Sequence, residues 1–323
     1  MSTSLNVALV AEFDLCEKLA ETLEQSCLEI EKLSVVELFP FSEEQGIRFN
    51  NKSVEQLPLD ETEWSDFNYV FFAGDVAHAA HMAKAAQAGC VVIDLKGVCA
   101  SLNDVPLIVP SINDEQLVVL QRNIVSLPEP QVTQFVFSVS QFARENTLCQ
   151  VLVTSLLPAS YIDSDTVNKL AGQTAHLLNG IPLDEEQQRL AFDVFPSPKS
   201  PASLAAQVEK IFPQLSNVIF HQVHVPVFYG MAQMVTLRSE YEFDAQAQLH
   251  AWQANELVDY REASVLTPVT NGEAEAGEAP KLHIGGLTAL ENGMQFWLVA
   301  DEQRFYIALL GVKLAELVYQ KGY

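Results

Sequence analysis

"NVALVAEFDLCEKLAETLEQ", residues 6–25, reads as a strand running straight into a helix. Val7, Leu9 and Val10 lie in an apolar run of the kind a buried strand carries. Asp14 and Glu17 have the spacing of a capping box, and Leu15, Leu19, Ala20 and Leu23 supply a helical stripe. Strand, tight turn and helix together make the opening unit of a dinucleotide-binding domain. The turn itself, Ala11-Glu12-Phe13, argues the other way. A bound pyrophosphate needs glycines and open N–H groups at a helix start. Here there is no glycine, and Glu12, Asp14 and Glu17 stand close together.

Working outward, the alternation continues. "CLEIEKLSVVELF" and "FNYVFFAG" (67–74) read as strands, and "DVAHAAHMAKAAQAG" (75–89) as a helix closed by Gly89. "CVVIDL" (90–95) and "VPLIVP" (105–110) read as two further strands. Such a pattern predicts a doubly wound parallel sheet covered by helices. Beyond it, "TQFVFSVSQFARE" and "SDTVNKLAGQTAHLLNG" (164–180) are helical. "CQVLVTSLL" (149–157), "NVIFHQVHVPVFYG" (217–230), "AQMVTLRSEYEF" (232–243) and "GMQFWLVAD" (293–301) are strand-like, and "QRFYIALLGVKLAELVYQ" (303–320) reads as one long final helix. The fold class is therefore α/β: a Rossmann-like first domain and an α+β second domain with a mostly antiparallel sheet. "NGEAEAGEAPK" (271–281) reads as an acidic surface loop.

Composition narrows the function. The net charge is −24, from 18 basic and 42 acidic residues. Such a surface repels phosphate backbones, so nucleic acid is excluded as a partner. No apolar run reaches membrane-spanning length, and no secretory leader is visible. Five cysteines at unrelated spacings suit a reducing cytoplasm, the expected location, and form no metal or disulfide framework. Cys90 and Cys149 open strands and read as small buried hydrophobes. Cys16, near a helix start, is the better candidate for an activated thiol, although its acidic neighbours oppose that. His78 and His81 share a helix face without an evident third metal ligand, so no metal is expected. His221 and His224 fall on opposite faces of a strand. Phe135, Phe137 and Phe142 read as core.

The chain resembles the aspartate-semialdehyde dehydrogenase family, and more closely the Usg-type homologues within it. The blocks that carry the likeness are "FFAG" (71–74), "AGCVVID" (88–94), "DVPLIVPSIN" (104–113), "LAGQTAHLLNGIP" (170–182), "VPVFYGMAQMV" (225–235), "GMQFWLVAD" and "ALLGVKLAE" (308–316). They follow one another in family order. The resemblance implies a dinucleotide domain over 1–131, completed by the C-terminal helix 303–323, and a dimerisation and substrate-like domain over 132–302. Active members of the family reduce an acyl phosphate with NADPH through a cysteine thioester, with a histidine as acid/base.

Carried onto this sequence, the resemblance finds the chemistry missing. The nucleophile position falls on Pro130 in "SLPEPQVTQF", with Glu129 beside it and Pro128 matching the family proline. Proline offers no nucleophile and no backbone N–H. Gln134 matches a family glutamine and is retained. The acid/base position is Met231, whose thioether carries no proton. The substrate-carboxylate arginine is His224, which cannot make a guanidinium fork, and the phosphate-side arginine is Ala100. Ala11 and Cys16 fall in glycine-like places of the cofactor turn, Glu43 and Glu44 near its 2′-phosphate arginine, and Glu302 on its nicotinamide asparagine. Asp14, as N-cap, would occupy the N–H groups a pyrophosphate needs, while Glu12 and Glu17 would repel it. The expectation is a catalytically degenerate homologue, a structural or interaction protein, that binds no cofactor and forms a homodimer through its second domain. The alternative is an NAD(P)-dependent semialdehyde dehydrogenase-like oxidoreductase, or a small-molecule sensor in a repurposed interdomain cleft.

Overall fold

The computed structural model describes residues 4–42, 45–184, 186–198, 200–241, 245–262, 265–273 and 278–323. Two units divide the chain: Met1–Thr133 with Tyr306–Tyr323, and Gln134–Phe305.

In the first unit, β1 (Leu5–Ala11) leads to α1 (Phe13–Glu24) and β2 (Ile30–Glu37). A two-rung hairpin follows, β3 (Arg48–Phe49) with β4 (Lys52–Ser53), and then β5 (Glu55–Pro58). After β6 (Tyr69–Phe72) come α2 (Ala79–Gln87), β7 (Val91–Asp94) and β8 (Ile124–Ser126). The sheet order is β5-β2-β1-β6-β7-β8, and every pair is parallel. Val7 to Ala11 and Tyr69 to Phe72 are buried throughout, the pattern of strands covered on both faces. The final helix, α8 (Leu310–Gln320), closes this unit against the sheet. A Cβ on Gly311 would meet Leu95 at 2.4 Å, so glycine is what lets the two approach. The Tyr69 hydroxyl donates to the Tyr323 carbonyl at 2.7 Å.

The second unit holds α3 (Pro130–Glu145, whose first turn belongs to the first unit), β9 (Leu148–Leu157), α4 (Ser164–Leu178), β10 (Phe195–Pro196) and α5 (Ala202–Ile211). It continues with β11 (Val218–His224), β12 (Met231–Ser239), α6 (Ala245–Ala254), β13 (Val258–Arg261), α7 (Pro268–Asn271), β14 (Leu282–Leu290) and β15 (Gly293–Ala300). Its sheet order is β10-β11-β9-β12-β15-β14-β13, antiparallel except at β11/β9 and β13/β14. One face is buried: Val153, Phe220, Val235 and Phe296 lie in register across four strands. Phe135 packs edge-on to Phe220 and Trp252 edge-on to Phe296, which places α3 and α6 on that face. The opposite face, with Leu152, Thr154, Ile219, His221, Met234 and Thr236, is half-buried or exposed. Phe135, Phe137 and Phe142 are core residues.

Five local readings are corrected. The capping box at Asp14 and Glu17 does not form. β1 persists through Ala11, paired with Glu37, so the helix starts at Phe13 and Glu12 is the single linking residue and N-cap, without a side-chain cap bond. "VPLIVP" is not a strand. Pro106 and Pro110 have no N–H to give, and contact with the sheet shrinks to one bridge between Leu107 and Ser126. The final helix is not uniformly α: Glu302–Leu309 is wound as a π-helix before α8 (Leu310–Gln320) begins. Helix 75–89 opens with a 3₁₀ turn, Val76–His78, which Asp75 caps. Cys149 is exposed rather than buried: a register shift sets Ser239 opposite Leu148 and Arg238 opposite Gln150, so Cys149 falls outside the buried alternation of Val151 and Val153.

Candidate functional site

A doubly wound sheet binds its ligands outside the carboxyl ends of its strands. In the first unit those ends carry acids. β1 is followed by Glu12, β2 ends on Glu37, β6 is followed by Asp75 two residues after Ala73, and β7 ends on Asp94. At the helix after β6, Asp75 accepts from the Ala77 N–H at 2.8 Å and pairs with His78 Nδ1 at 2.8 Å. After β7, the Asp94 carboxylate accepts from the N–H groups of Lys96 (3.3 Å), Val98 (3.1 Å) and Cys99 (2.7 Å), and from the Ser126 hydroxyl (2.7 Å). Burial pushes the Asp94 carboxyl up, and these donors oppose the rise. A ring of backbone N–H groups of this kind is an anion site, and a side chain of the protein itself occupies it.

The start of α3 follows the same rule. Pro130 is buried at its first position, where a missing N–H costs nothing. Glu129 Oε2 accepts from the Gln131 N–H at 2.8 Å. Gly97, at φ +72°, lets its loop touch the backbone of Leu127–Glu129: a Cβ there would stand 2.9 Å from the Glu129 nitrogen. Ala100, three residues on, is buried. No long cation has been exchanged for another there; the position is packed shut.

The β1–α1 junction does not fit a dinucleotide. The link is one residue long, it has no glycine, and Glu12 and Asp14 put two carboxylates at the helix start. Asp14 is a first-turn residue and not the cap, so what sets this junction apart from a dinucleotide turn is its charge and its short link. Two like charges about 4 Å apart in a medium of effective dielectric near 20 repel by about 4 kcal/mol. Ala11 is fully buried in β1. Cys16 is fully buried as well; its thiol donates to the Ala11 carbonyl at 3.6 Å, and burial pushes its pKa well above the ordinary thiol value, assisted by Glu12 and Glu17. Desolvation thus outweighs the helix N-terminus and, with the acidic neighbours, opposes an activated thiol at Cys16. Glu43 and Glu44 lie outside the described residues.

In the second unit, sheet register gathers the other sequence-derived positions at one end. Leu157 pairs with His224, and Met231 with Ala300, on the buried face. Met231 is fully buried. His224 is buried, its ring stacked on Phe195 with centroids 5.0 Å apart. Beside it lies an apolar cavity of about 10 Å³ lined by Leu157, Phe195, His224 and Pro226, among others, room for one water molecule. Glu302, just past β15, is buried and accepts from the Ser160 hydroxyl and, at 3.1 Å, from the Gly230 N–H. Burial, then the neighbouring Asp301, push its pKa up to about 7, against the pull of those hydrogen bonds. Gly230, at φ +90°, stacks its backbone on Gly272, where a Cβ would come within 2.6 Å. Gln134 is fully buried, and neither its amide oxygen nor its nitrogen has a hydrogen-bond partner among the described residues.

Asp75, Asp94, Ser160 and Gly230 were not singled out from the sequence. The one local signal was an aspartate closing an apolar strand three residues before a glycine, "VVIDLKG". His78 and His81 are drawn to Asp75 and Asp60. Among the described residues no three His, Cys, Asp or Glu side chains gather as a metal would require, and no helix is long and apolar enough to cross a membrane.

Comparison with known proteins gives the lineage. Residues 17–119 match the semialdehyde dehydrogenase NAD-binding domain family. The chain is 58% identical to the USG-1 protein homolog of Haemophilus influenzae, over the full length of both. It is 29% identical to aspartate-semialdehyde dehydrogenase 2 of Vibrio cholerae, over 98% of each chain. The crystal structure of aspartate semialdehyde dehydrogenase II from Vibrio cholerae superimposes with a TM-score of 0.90 at 26% identity, covering 99% of this chain and 100% of that one. At 58% identity over its full length to the USG-1 protein homolog, and with the fold of aspartate-semialdehyde dehydrogenase, the chain belongs to the USG-1 family of aspartate-semialdehyde dehydrogenase homologues.

Proposed function

We propose that this protein is a catalytically degenerate member of its family, a homodimer that neither holds a nicotinamide dinucleotide nor reduces an acyl phosphate. The observation that carries the reading is the occupation of its anion-binding N–H groups by its own carboxylates: Asp94 on the loop after β7, Glu129 at the start of α3, and Asp75 after β6. An incoming phosphate would have to displace a covalently tethered competitor of like charge. Pro130, Met231, His224 and Ala100 remove nucleophile, acid/base and both arginine contacts in the same stroke. The role left to such a chain is structural or interactive, and the cytoplasm is its proposed location.

Dimer formation is supported by the half-exposed sheet face. Leu152, Thr154, Ile219, His221, Met234 and Thr236 include no carboxylate, on a chain of net charge −24. An isologous contact sets one patch against itself, which an acidic surface resists; this stretch of the face, with Arg238 at its end, has no carboxylate to do so. The unpartnered Gln134 amide supports a second reading, a small-molecule sensor whose ligand supplies the missing hydrogen bonds. Titration of NADPH and NADH into the protein, read by calorimetry and by cofactor fluorescence, tests the main reading. No heat and no enhancement are expected; micromolar binding would overturn it.

A further inference from the structure

The segment that follows α4 turns back along the helix and encloses a groove with it. Gly180, at φ +70°, reverses the chain, and the Ile181 N–H donates to the His176 carbonyl at 2.9 Å. Further on, the buried Gln173 amide oxygen accepts from the N–H groups of Leu190 (2.7 Å) and Ala191 (3.2 Å), and its nitrogen donates to the Gln188 carbonyl at 2.9 Å. The inner face of α4, with Val167, Leu170 and Leu177, packs on Ala159 and Ala191. The outer face carries Lys169, Gly172 and His176, one above the other at helical spacing. Between that face and Ile181, Leu183 and Asp184 lies a cavity of about 400 Å³, within the size range of small-molecule sites. Hydrogen bonds thus hold the returning segment against the helix before any ligand arrives, which lowers the cost of binding. The floor is open at Gly172, where a Cβ would meet nothing within 4 Å. No contact among the described residues calls for glycine at that point, although glycine weakens a helix interior.

We propose that this groove binds a short zwitterionic peptide with an apolar side chain. The proposal goes beyond the cofactor reading above and is independent of it. Charge selects the ligand. The helix wall offers the exposed Lys169 ammonium, which has three donors and pairs with Asp165 at 2.6 Å. The opposite wall offers the exposed Asp184 carboxylate, one oxygen of which accepts from the Glu186 N–H at 3.2 Å. A ligand of a single sign meets one attraction and one repulsion there, whereas a zwitterion pairs with both walls. Ile181, Pro182 and Leu183 supply apolar surface for the side chain. Length follows from the helix. Lys169 and His176 stand two turns apart, about 10 Å, which is the reach of about three extended residues.

The test is titration calorimetry of the full-length chain with the tripeptide Ala-Leu-Ala, its N-acetyl form and its C-terminal amide. The free tripeptide is expected to bind with a Kd below about 1 mM, and each capped form to bind about two- to fivefold more weakly, the effect of one exposed ion pair. Asp184→Asn should weaken the free and the amidated peptide and leave the acetylated one unchanged. Lys169→Gln should weaken the free and the acetylated peptide and leave the amidated one unchanged. Gly172→Leu fills the floor from an exposed position where leucine suits the helix better than glycine, so the fold is kept, as circular dichroism checks, and binding should fall by about tenfold or more. Absence of heat from the free tripeptide at about 1 mM overturns the proposal. Binding that survives Gly172→Leu, or capped peptides that bind as well as the free one, overturns it too. None of these outcomes touches the cofactor reading of the first unit, which the nicotinamide titrations decide.

Discussion

The two units treat their polar groups in opposite ways. At the strand ends of the first, carboxylates and backbone N–H groups are matched to one another: Asp94 alone holds three N–H groups and a hydroxyl. In the second unit, Gln134 is buried without a partner, Glu302 is buried with a proton affinity near neutrality, and one face of the sheet is left half open. A site whose donors are already bonded offers a ligand nothing but competition. An unmatched amide or an open sheet face leaves binding energy available. On the proposed reading the loss of function lies in the first unit, and recognition is to be sought in the second.

The largest test of the contrast is Asp94→Ala. It would leave the N–H groups of Lys96, Val98 and Cys99 without this acceptor, while the Ser126 hydroxyl keeps the Leu127 carbonyl, and each buried unsatisfied group costs about 1–3 kcal/mol. The expected loss is about 3–5 kcal/mol by urea unfolding, with Asp94→Asn losing less because its amide oxygen still accepts. A loss below 1 kcal/mol for the alanine variant would mean that the carboxylate does not hold the loop, and the first unit would no longer count as closed.

Glu302 sharpens the comparison through pH. Its pKa rises from 4.5 to about 7 on folding, so the folded state holds the proton more tightly than the unfolded state. The contribution is fully present below pH 4.5 and is lost as pH rises through 7. A rise of this size corresponds to about 3 kcal/mol. Stability is expected to fall across that window, and Glu302→Gln, which mimics the protonated form, should flatten the fall. Denaturant midpoints measured from pH 4 to 8 decide it; identical slopes in the two proteins would show that Glu302 does not titrate there.

Gln134→Leu follows with a smaller effect. If no ligand meets the amide, removing both unpaired atoms should raise the melting free energy by about 1–3 kcal/mol. If a bound small molecule satisfies them, the same change should destabilise protein purified from cells and leave dialysed protein unaffected or improved.

The smallest expected effect is none. Pro130→Cys combined with Met231→His supplies a thiol and an imidazole, yet His224, Ala100 and the acids Glu12 and Asp14 are unchanged. Correct orientation contributes about 7–11 kcal/mol to catalysis of this kind, and no group here provides it. Semialdehyde-dependent NADPH formation should stay at the rate without enzyme; clear turnover would show that substrate and cofactor sites survive.

Much of this was legible in the chain itself. The apolar runs at 67–74 and 90–95 and the helical stripes at 15–23 and 164–178 specify their elements, because periodicity and burial are local properties. The proposed absence of nucleophile, base and arginines rests on residue identity at positions matched through the family resemblance, Pro130, Met231, His224 and Ala100. What tertiary structure alone decided was every feature that depends on a partner distant in sequence. "VPLIVP" has strand composition but, with two prolines, cannot pair as one. Cys16 sits where a dipole would activate it, and burial decides otherwise. Glu302 meets Ser160 across 142 residues, and the Gln173 amide oxygen accepts from the Leu190 and Ala191 N–H groups of the segment that follows its helix. Hydrogen bonds from side chains to remote backbone leave no period in a sequence window, since only the packed fold determines which donor each carboxylate or amide will find.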